Sequence, residues 1–447
     1  MSKFCLTVVA VVLLLMTLPL SNLLIKRTYP APDDGTEFKA VSDIMVKKCA
    51  DCHTNDLAVH PLYFGFPIAD AIIHRNITNG QHSFLLDRDK LSGKVPFTAL
   101  DIQKLSSAMA KNNMPPAQYL SLHWDAALSE TEQRRLVTWI KKRAKIFDLR
   151  AIPAENFLKP DQRKAALGEK LFADKTLSSD GSVSCASCHA LDKGGSDQLK
   201  VSVGVGGKAG TLNAPTVFNA AYSIGQFWNG RAKNLRAQVD FAVSDPNELA
   251  SNWQQVIESI RKNNNYIAEF KELYPDGVTA RSVSDVIGSY EETLLTPGSR
   301  FDKFLAGDAN ALNADEKAGF EVFKKHECYD CHSGPALGGL SYELMGYSKD
   351  YFATKSNLTK EDDGRANISY SKNDLHRFKV PTLRNVALTY PYLHDGSAAT
   401  LDDVVKIMSD YQVEKPLNAE ERKQVVAFLR SLTGSLNGHP LDHTAFR

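Results

Sequence analysis

The sequence predicts a mainly α-helical chain of three similar blocks with long loops, preceded by one N-terminal transmembrane helix. Three observations predict it. The pattern C-x-x-C-H occurs three times, as CADCH at 49–53, CASCH at 185–189 and CYDCH at 328–332. The first cysteines stand 136 and 143 residues apart, an interval that suits one compact domain per motif. Phe4 to Ile25 is 22 residues without a charge, long enough to cross a bilayer as a helix. No stretch sustains the polar–apolar alternation of a strand, so helices and loops are expected between these landmarks.

Taken in order, the apolar run comes first. Lys3 precedes it and Lys26 and Arg27 follow it, so flanking charge leaves the orientation open. No small-residue A-x-A-like site follows the run, which favours an uncleaved anchor over a removed signal peptide. Cys5 lies ahead of the run, the wrong place for lipid attachment, and reads as a small apolar side chain. Residues 26–36 (KRTYPAPDDGT) form a polar tether. The stretches IPAENFLKPDQ (152–162) and LLTPGSRFDKF (294–304) punctuate the rest. The expected organisation is an anchor and tether over 1–30 and blocks over 31–150, 151–300 and 301–447. EFKAVSDIMVKK, RKAALGEKLFADKTLS and ADEKAGFEVFKKHE each predict a helix ahead of a motif. The last two share Gly-x-x-x-Phe, as Gly168/Phe172 and Gly319/Phe323. After the first and third motifs, LSETEQRRLVTWIKKR and LNAEERKQVVAFLRSL predict closing helices. Each opens on a capping box, Ser129 with Glu132 and Asn418 with Glu421. Leu136, Trp139, Ile140 and the stem of Arg143 fall on one helical face, as do Val425, Val426, Leu429 and Leu432.

The chemistry lies in the motifs. In C-x-x-C-H, two thiols add to the vinyl groups of a porphyrin and the histidine ligates its iron, so each motif attaches a c-type haem. Three covalently bound haem c groups are expected: on Cys49 and Cys52 with His53, on Cys185 and Cys188 with His189, and on Cys328 and Cys331 with His332. Zinc is the alternative, but a tetrahedral site needs four ligands and each motif supplies three. Lys and Arg (53) balance Asp and Glu (52), so the chain lacks the basic excess of a nucleic-acid binder.

The sixth iron ligand separates carriers from catalysts. Between His189 and His326 there is no other His, no Met and no Cys. The middle haem is therefore expected to keep an open or water-occupied iron and to be the reactive one. The first block offers Met109, Met114, His60, His74, His82 and His123. Met114 is preferred, because Pro115 and Pro116 hold it in an extended loop, whereas Met109 reads as core; ligation by a second histidine is the alternative. The third block offers Met345 and Met408, and Met408, ahead of the closing helix as Met114 is, is preferred.

A helix on each side of the motif, packed over the haem, resembles the class I c-type cytochromes. CASCH, LNAPTVFNA, FWNGRA, TPGSRFDKFL, CYDCHSGPALGG and FKVPTLRNVALTYPYLHDGSAATL together resemble the bacterial dihaem cytochrome c peroxidases over about residues 150–447. The N-terminal anchor and additional haem domain resemble that family's membrane-anchored tri-haem branch. This resemblance implies a peroxidatic haem on Cys185 and Cys188 with His189 proximal. It implies an electron-transfer haem on Cys328 and Cys331 with His332 and Met408, and Trp228 between the two. It places Gln238 and Glu248 in the distal pocket, Gln238 orienting peroxide and Glu248 moving its proton. It also implies one calcium ion at Asn213 and the backbone of Thr389 and Pro391. The implied reaction reduces hydrogen peroxide to water, with electrons from membrane quinol passed through the other two haems. The implied location is the bacterial inner membrane, with a single-pass anchor touching lipid and the haem domains in the periplasm.

One departure stands out. Many relatives carry a distal histidine in an S-x-G-H loop, whereas this chain reads SVGVGG, with Val205 at the histidine position. No reductive rearrangement is then needed to clear the iron, and the resting enzyme is expected to be accessible. Other readings remain: a soluble c-type cytochrome as donor, a multihaem electron carrier without peroxide chemistry, or an oxidase of a partner protein. The missing sixth ligand disfavours the carrier. Met408 disfavours the partner oxidase, because the methylamine-utilisation relative uses a Tyr there. The plainer roles are a helix cap for Glu248, a solvated helix face for Gln238 and core packing for Trp228.

Overall fold

The structure, a computed structural model, describes residues 37–54, 84–95, 123–144, 151–152 and 158–441, with scattered positions between 73 and 120. The chain falls into two compact units that divide at 148/149.

In the first unit, the Glu37–Lys48 helix packs against the Glu130–Ala144 helix. Their apolar faces carry Val41, Met45, Leu136, Trp139 and Ile140, all buried. The Arg143 guanidinium lies 4.3 Å from the centre of the Trp139 ring, so this residue joins the face as its spacing predicts. The Ser129–Glu132 box is formed: Ser129 N–H donates to Glu132 Oε2 at 2.8 Å, and Glu132 N–H to Ser129 Oγ at 3.3 Å. The first motif makes the one-turn helix Ala50–His53 directly after the Glu37–Lys48 helix.

The second unit repeats this plan around two cores. In one, the Gln162–Ala173 helix crosses the Ala280–Glu291 helix; in the other, Ala314–Lys325 crosses Ala419–Arg430. Glycine makes both crossings close. A Cβ on Gly168 would sit 1.9 Å from the Val286 carbonyl oxygen, and one on Gly319 would sit 1.9 Å from that of Gln424. Phe172 and Phe323, one turn later, are buried in the respective cores. The Asn418–Glu421 box caps the last of these helices.

Polar side chains stitch the two cores into one unit. Thr296 Oγ1 accepts from Asn219 Nδ2 at 2.8 Å and from Asn385 Nδ2 at 2.9 Å. Arg384, fully buried, pairs with Asp302 at 2.8 Å. Strand structure is confined, among the described residues, to two small antiparallel pairs, Tyr342–Leu344 with Arg377–Lys379 and Ser435–Leu436 with His439–Pro440.

One expectation is corrected. No helix of the described residues is long and apolar enough to cross a membrane, so a single-pass inner-membrane anchor with periplasmic haem domains is not supported. Phe4–Ile25 and the 26–36 tether, on which it rested, lie outside the described residues. The hydropathy of that run carried the anchor. His60 and His82 also lie outside them.

Candidate active site in the second unit

The second motif forms a one-turn helix, Cys185–Cys188, whose entry is held by Ser184 and Ser187. This places both thiols and the His189 ring on the wall of one cavity of about 420 Å³. Trp228, Gln238 and Glu248 line the same cavity, although the sequence spreads them over 60 positions behind the motif. Apolar side chains such as Phe172, Val217, Val283 and Ile287 complete the walls.

Each distal residue is set by its own local structure. Gln238 sits on the first turns of the Leu235–Ser244 helix, which Asn234 caps by accepting from the Ala237 N–H. Glu248 follows that helix in a tight turn in which its N–H donates to the Asp245 carbonyl at 3.1 Å. It is not a helix cap, since the next helix, Trp253–Ile260, is capped by Asn252. The SVGVGG loop holds the other side of this turn: Val205 N–H donates to the Glu248 carbonyl at 3.1 Å. A Cβ on Gly204 would meet the Asn247 carbonyl oxygen at 2.0 Å, so only glycine lets the loop lie this close. Trp228 Nε1 donates to the Asn213 carbonyl at 2.8 Å. Its indole lines the cavity and also packs on the core around Cys328 and Met408, between the two motifs of the unit.

Burial dominates the electrostatics. It pushes the Glu248 carboxyl up to about 7, Asp245 adding to the rise and Arg231 opposing it. Burial likewise pushes Cys185 up to about 12 and Cys188 up to about 11. It also lowers the His189 imidazole, the Gly195 carbonyl opposing.

The three motif histidines share a detail. His53 Nδ1 lies 2.7 Å from the Phe84 carbonyl oxygen, His189 Nδ1 3.3 Å from that of Gly195, and His332 Nδ1 3.2 Å from that of Leu337. A carbonyl only accepts, so Nδ1 carries the hydrogen and the Nε2 lone pair is left for a metal, the usual arrangement around an iron-ligating histidine. None of the six motif cysteines is in a disulfide. Among the described residues no three His, Cys, Asp or Glu side chains are grouped to hold a metal ion. Paired thiols, a pre-set imidazole and apolar walls fit a covalently attached haem.

The remaining expected residues are dispersed as follows. Met408 lies in the Leu401–Tyr411 helix and packs, with Cys328, on the second core. Met345 is buried and its sulfur accepts from Gln412 Nε2 at 3.7 Å. Met114 is half-buried in the loop before the Ala117–Leu120 helix, while the His123 ring stacks on Tyr119 at 3.8 Å. Asn213 Nδ2 donates to the Leu199 carbonyl at 2.8 Å, and Tyr390 Oη donates to the Gln198 side-chain Oε1 at 3.1 Å.

Two cavity residues escape sequence reading. Arg231 lies with its guanidinium 3.4 Å from the Phe227 ring centre, facing Glu248. Glu291, 5 % exposed, has an Oε2 with no hydrogen-bond partner. Burial pushes its carboxyl up to about 8. FWNGRA displays Arg231 openly, but nothing in a sequence tells a buried glutamate from an exposed one.

Comparison with known proteins agrees with this chemistry. The chain matches the Di-haem cytochrome c peroxidase family over residues 162–310 and the Haem-binding domain family over residues 8–142. It is 40% identical to cytochrome c peroxidase Ccp of Escherichia coli over 410 residues, covering 89% of this chain and 88% of that one. It is 45% identical to cytochrome c551 peroxidase of Nitrosomonas europaea over 271 residues, 60% of this chain and 80% of that one. Among solved structures, a MauG-like protein associated with microbial copper homeostasis superposes with a TM-score of 0.58 at 26% identity, over 68% of this chain and 97% of that one. Site geometry, family matches and near-full-length identity converge: the chain belongs to the di-haem cytochrome c peroxidase family.

Proposed function

We propose that the enzyme reduces hydrogen peroxide to water in the cavity that Cys185, Cys188 and His189 share with Glu248, Gln238 and Trp228. That shared cavity carries the reading. A haem held there by the two thiols and His189 would supply the iron that takes up peroxide and the electrons that reduce it. Glu248 takes the proton from one peroxide oxygen and returns it to the other, which leaves as water. A carboxyl pushed up to about 7 suits a group that must both accept and release a proton near neutrality. Gln238 orients the peroxide by hydrogen bonding. Trp228 fills the space towards the Cys328–Cys331 site and offers electrons a path through a packed indole.

Two further haems complete the proposal: one on Cys328 and Cys331 with His332 and Met408, the other on Cys49 and Cys52 with His53 and Met114. Met408 is preferred over Met345 because the Met345 sulfur is already engaged by Gln412. Two electrons and two protons convert each peroxide to two waters. The relatives' names favour a c-type cytochrome as their source. Membrane quinol is the other donor reading, and it has lost the anchor on which it was built. Calcium at Asn213 and the backbone of Thr389 and Pro391 rests on the family resemblance, with Asn213 and Tyr390 contacting the adjacent residues Leu199 and Gln198.

The test is steady-state peroxide reduction by purified protein with reduced cytochrome c or with a quinol analogue, after a pyridine haemochrome count of three haems per chain. Oxidised protein mixed with peroxide should show a fast Soret change, because Val205 offers iron no ligand. Absence of turnover with both donors in protein carrying its full haem content sinks the proposal.

A further inference from the structure

Buried and half-buried cations in this fold come with anions. Arg384 pairs with Asp302 at 2.8 Å, and Lys355 with Asp395 at 2.9 Å and also with Asp362. Lys379 is the exception. It is 8 % exposed, and among the described residues no carboxylate or hydrogen-bond acceptor meets its ammonium. Burial alone, with no charge partner, depresses it to about 8. A largely buried ammonium without an anion is disfavoured, so the site suits a negative group that the polypeptide does not provide.

Its position says which group. Lys379 ends the Arg377–Lys379 strand, opposite Tyr342, and its backbone N–H donates to the Trp228 carbonyl at 2.7 Å. The preceding residue, Phe378, lines the cavity of Cys185, Cys188 and His189. Two residues later, the Pro381 carbonyl reaches the His332 imidazole. Residues 378–381 thus run from one haem site to the other, with Lys379 between them beside Trp228. A haem attached through its vinyl groups would keep both propionates, the anions such a cofactor could supply here.

We infer that Lys379 is a cofactor-binding residue whose ammonium pairs with a haem propionate between the Cys185–Cys188 and Cys328–Cys331 sites. The pair holds the haem edge in place and puts a positive charge near the iron, favouring its reduced form. The inference rests on the haem occupancy of the proposed function but not on peroxide turnover.

The experiment is a redox titration of haem-loaded Lys379→Gln and Lys379→Arg proteins, with resonance Raman spectra of the propionate bending bands. Lys379→Gln should lower one haem's midpoint, shifting its redox equilibrium about tenfold, about 59 mV for one electron. It should also move one propionate band, and Lys379→Arg should largely restore both. Unchanged midpoints and bands in fully haem-loaded Lys379→Gln overturn the inference. If that variant does not accumulate, a crystal structure of the haem-loaded unsubstituted protein decides: Nζ within about 4 Å of a propionate oxygen supports the pair, and a longer separation overturns it. Failure of peroxide turnover with these readings intact would count against the proposed function alone.

Discussion

In the proposed reaction, Glu248 carries the proton transfer in one side chain. In Glu248, half-buried beside Asp245 and facing Arg231, the carboxyl is pushed up to about 7 from the ordinary carboxylic range. As a base it must be ionised to take the peroxide proton. Below pH 7 its ionised fraction falls about tenfold per unit, so turnover should have an acid limb near pH 7. Glu248→Gln should lower peroxide turnover by about 10²–10⁴-fold, remove that limb and leave the haem absorption spectrum in place. A variant that keeps both normal turnover and the acid limb would assign the proton transfer elsewhere. From sequence the residue was visible only through family resemblance, since DPNEL reads equally well as a helix start. What separates the readings is Asn252, which caps the following helix and leaves Glu248 to the cavity. Glu291 owes its interest to burial, which no local pattern encodes.

Among the elements, helix pairs crossing through glycine set the plan of the second unit. Gly-x-x-x-Phe was readable twice because the crossing demands a residue without a side chain and, one turn on, a large apolar one. The closing helix of the middle block, Ala280–Glu291, was not singled out. Its capping box uses Thr279 with Ser282, so the acidic residue that marked the other two is missing. The strands were equally silent: Tyr342–Leu344 and Arg377–Lys379 span three residues each, too few to show alternation. The glycine argument has a sign that can be tested. In a solvated helix Gly→Ala usually stabilises, by about 0.4–1 kcal/mol. At Gly168 and Gly319 the new methyl would overlap a backbone carbonyl of the partner helix. Gly168→Ala and Gly319→Ala should therefore destabilise by about 1–3 kcal/mol, read as a lower calorimetric midpoint of the second unit. A raised midpoint would mean the helices separate without cost.

For the whole molecule, the arrangement of cores matters more than the count of motifs. Three copies of C-x-x-C-H suggested three equal blocks, whereas the chain forms two compact units, the second containing two cores stitched through Thr296. Polar contacts of that kind, between side chains 77 and 89 positions apart, leave no trace in a motif search. The first unit has a core of its own around Trp139, which is 1 % exposed, stacks on Phe38 at 5.8 Å and meets Phe97 edge-on at 5.3 Å. A unit with its own core unfolds on its own terms. The haem-loaded protein should therefore show two calorimetric transitions. Trp139→Ala removes the largest side chain of the first core and should cost that unit about 3–5 kcal/mol. Its transition should fall while that of the second unit stays in place. Peroxide reduction with a small artificial donor, which can feed the second unit directly, should persist, and turnover with the physiological donor should drop if electrons enter through Cys49 and Cys52. A single transition that moves as a whole would show that the units fold together, and unchanged turnover with every donor would take the first unit out of the electron path.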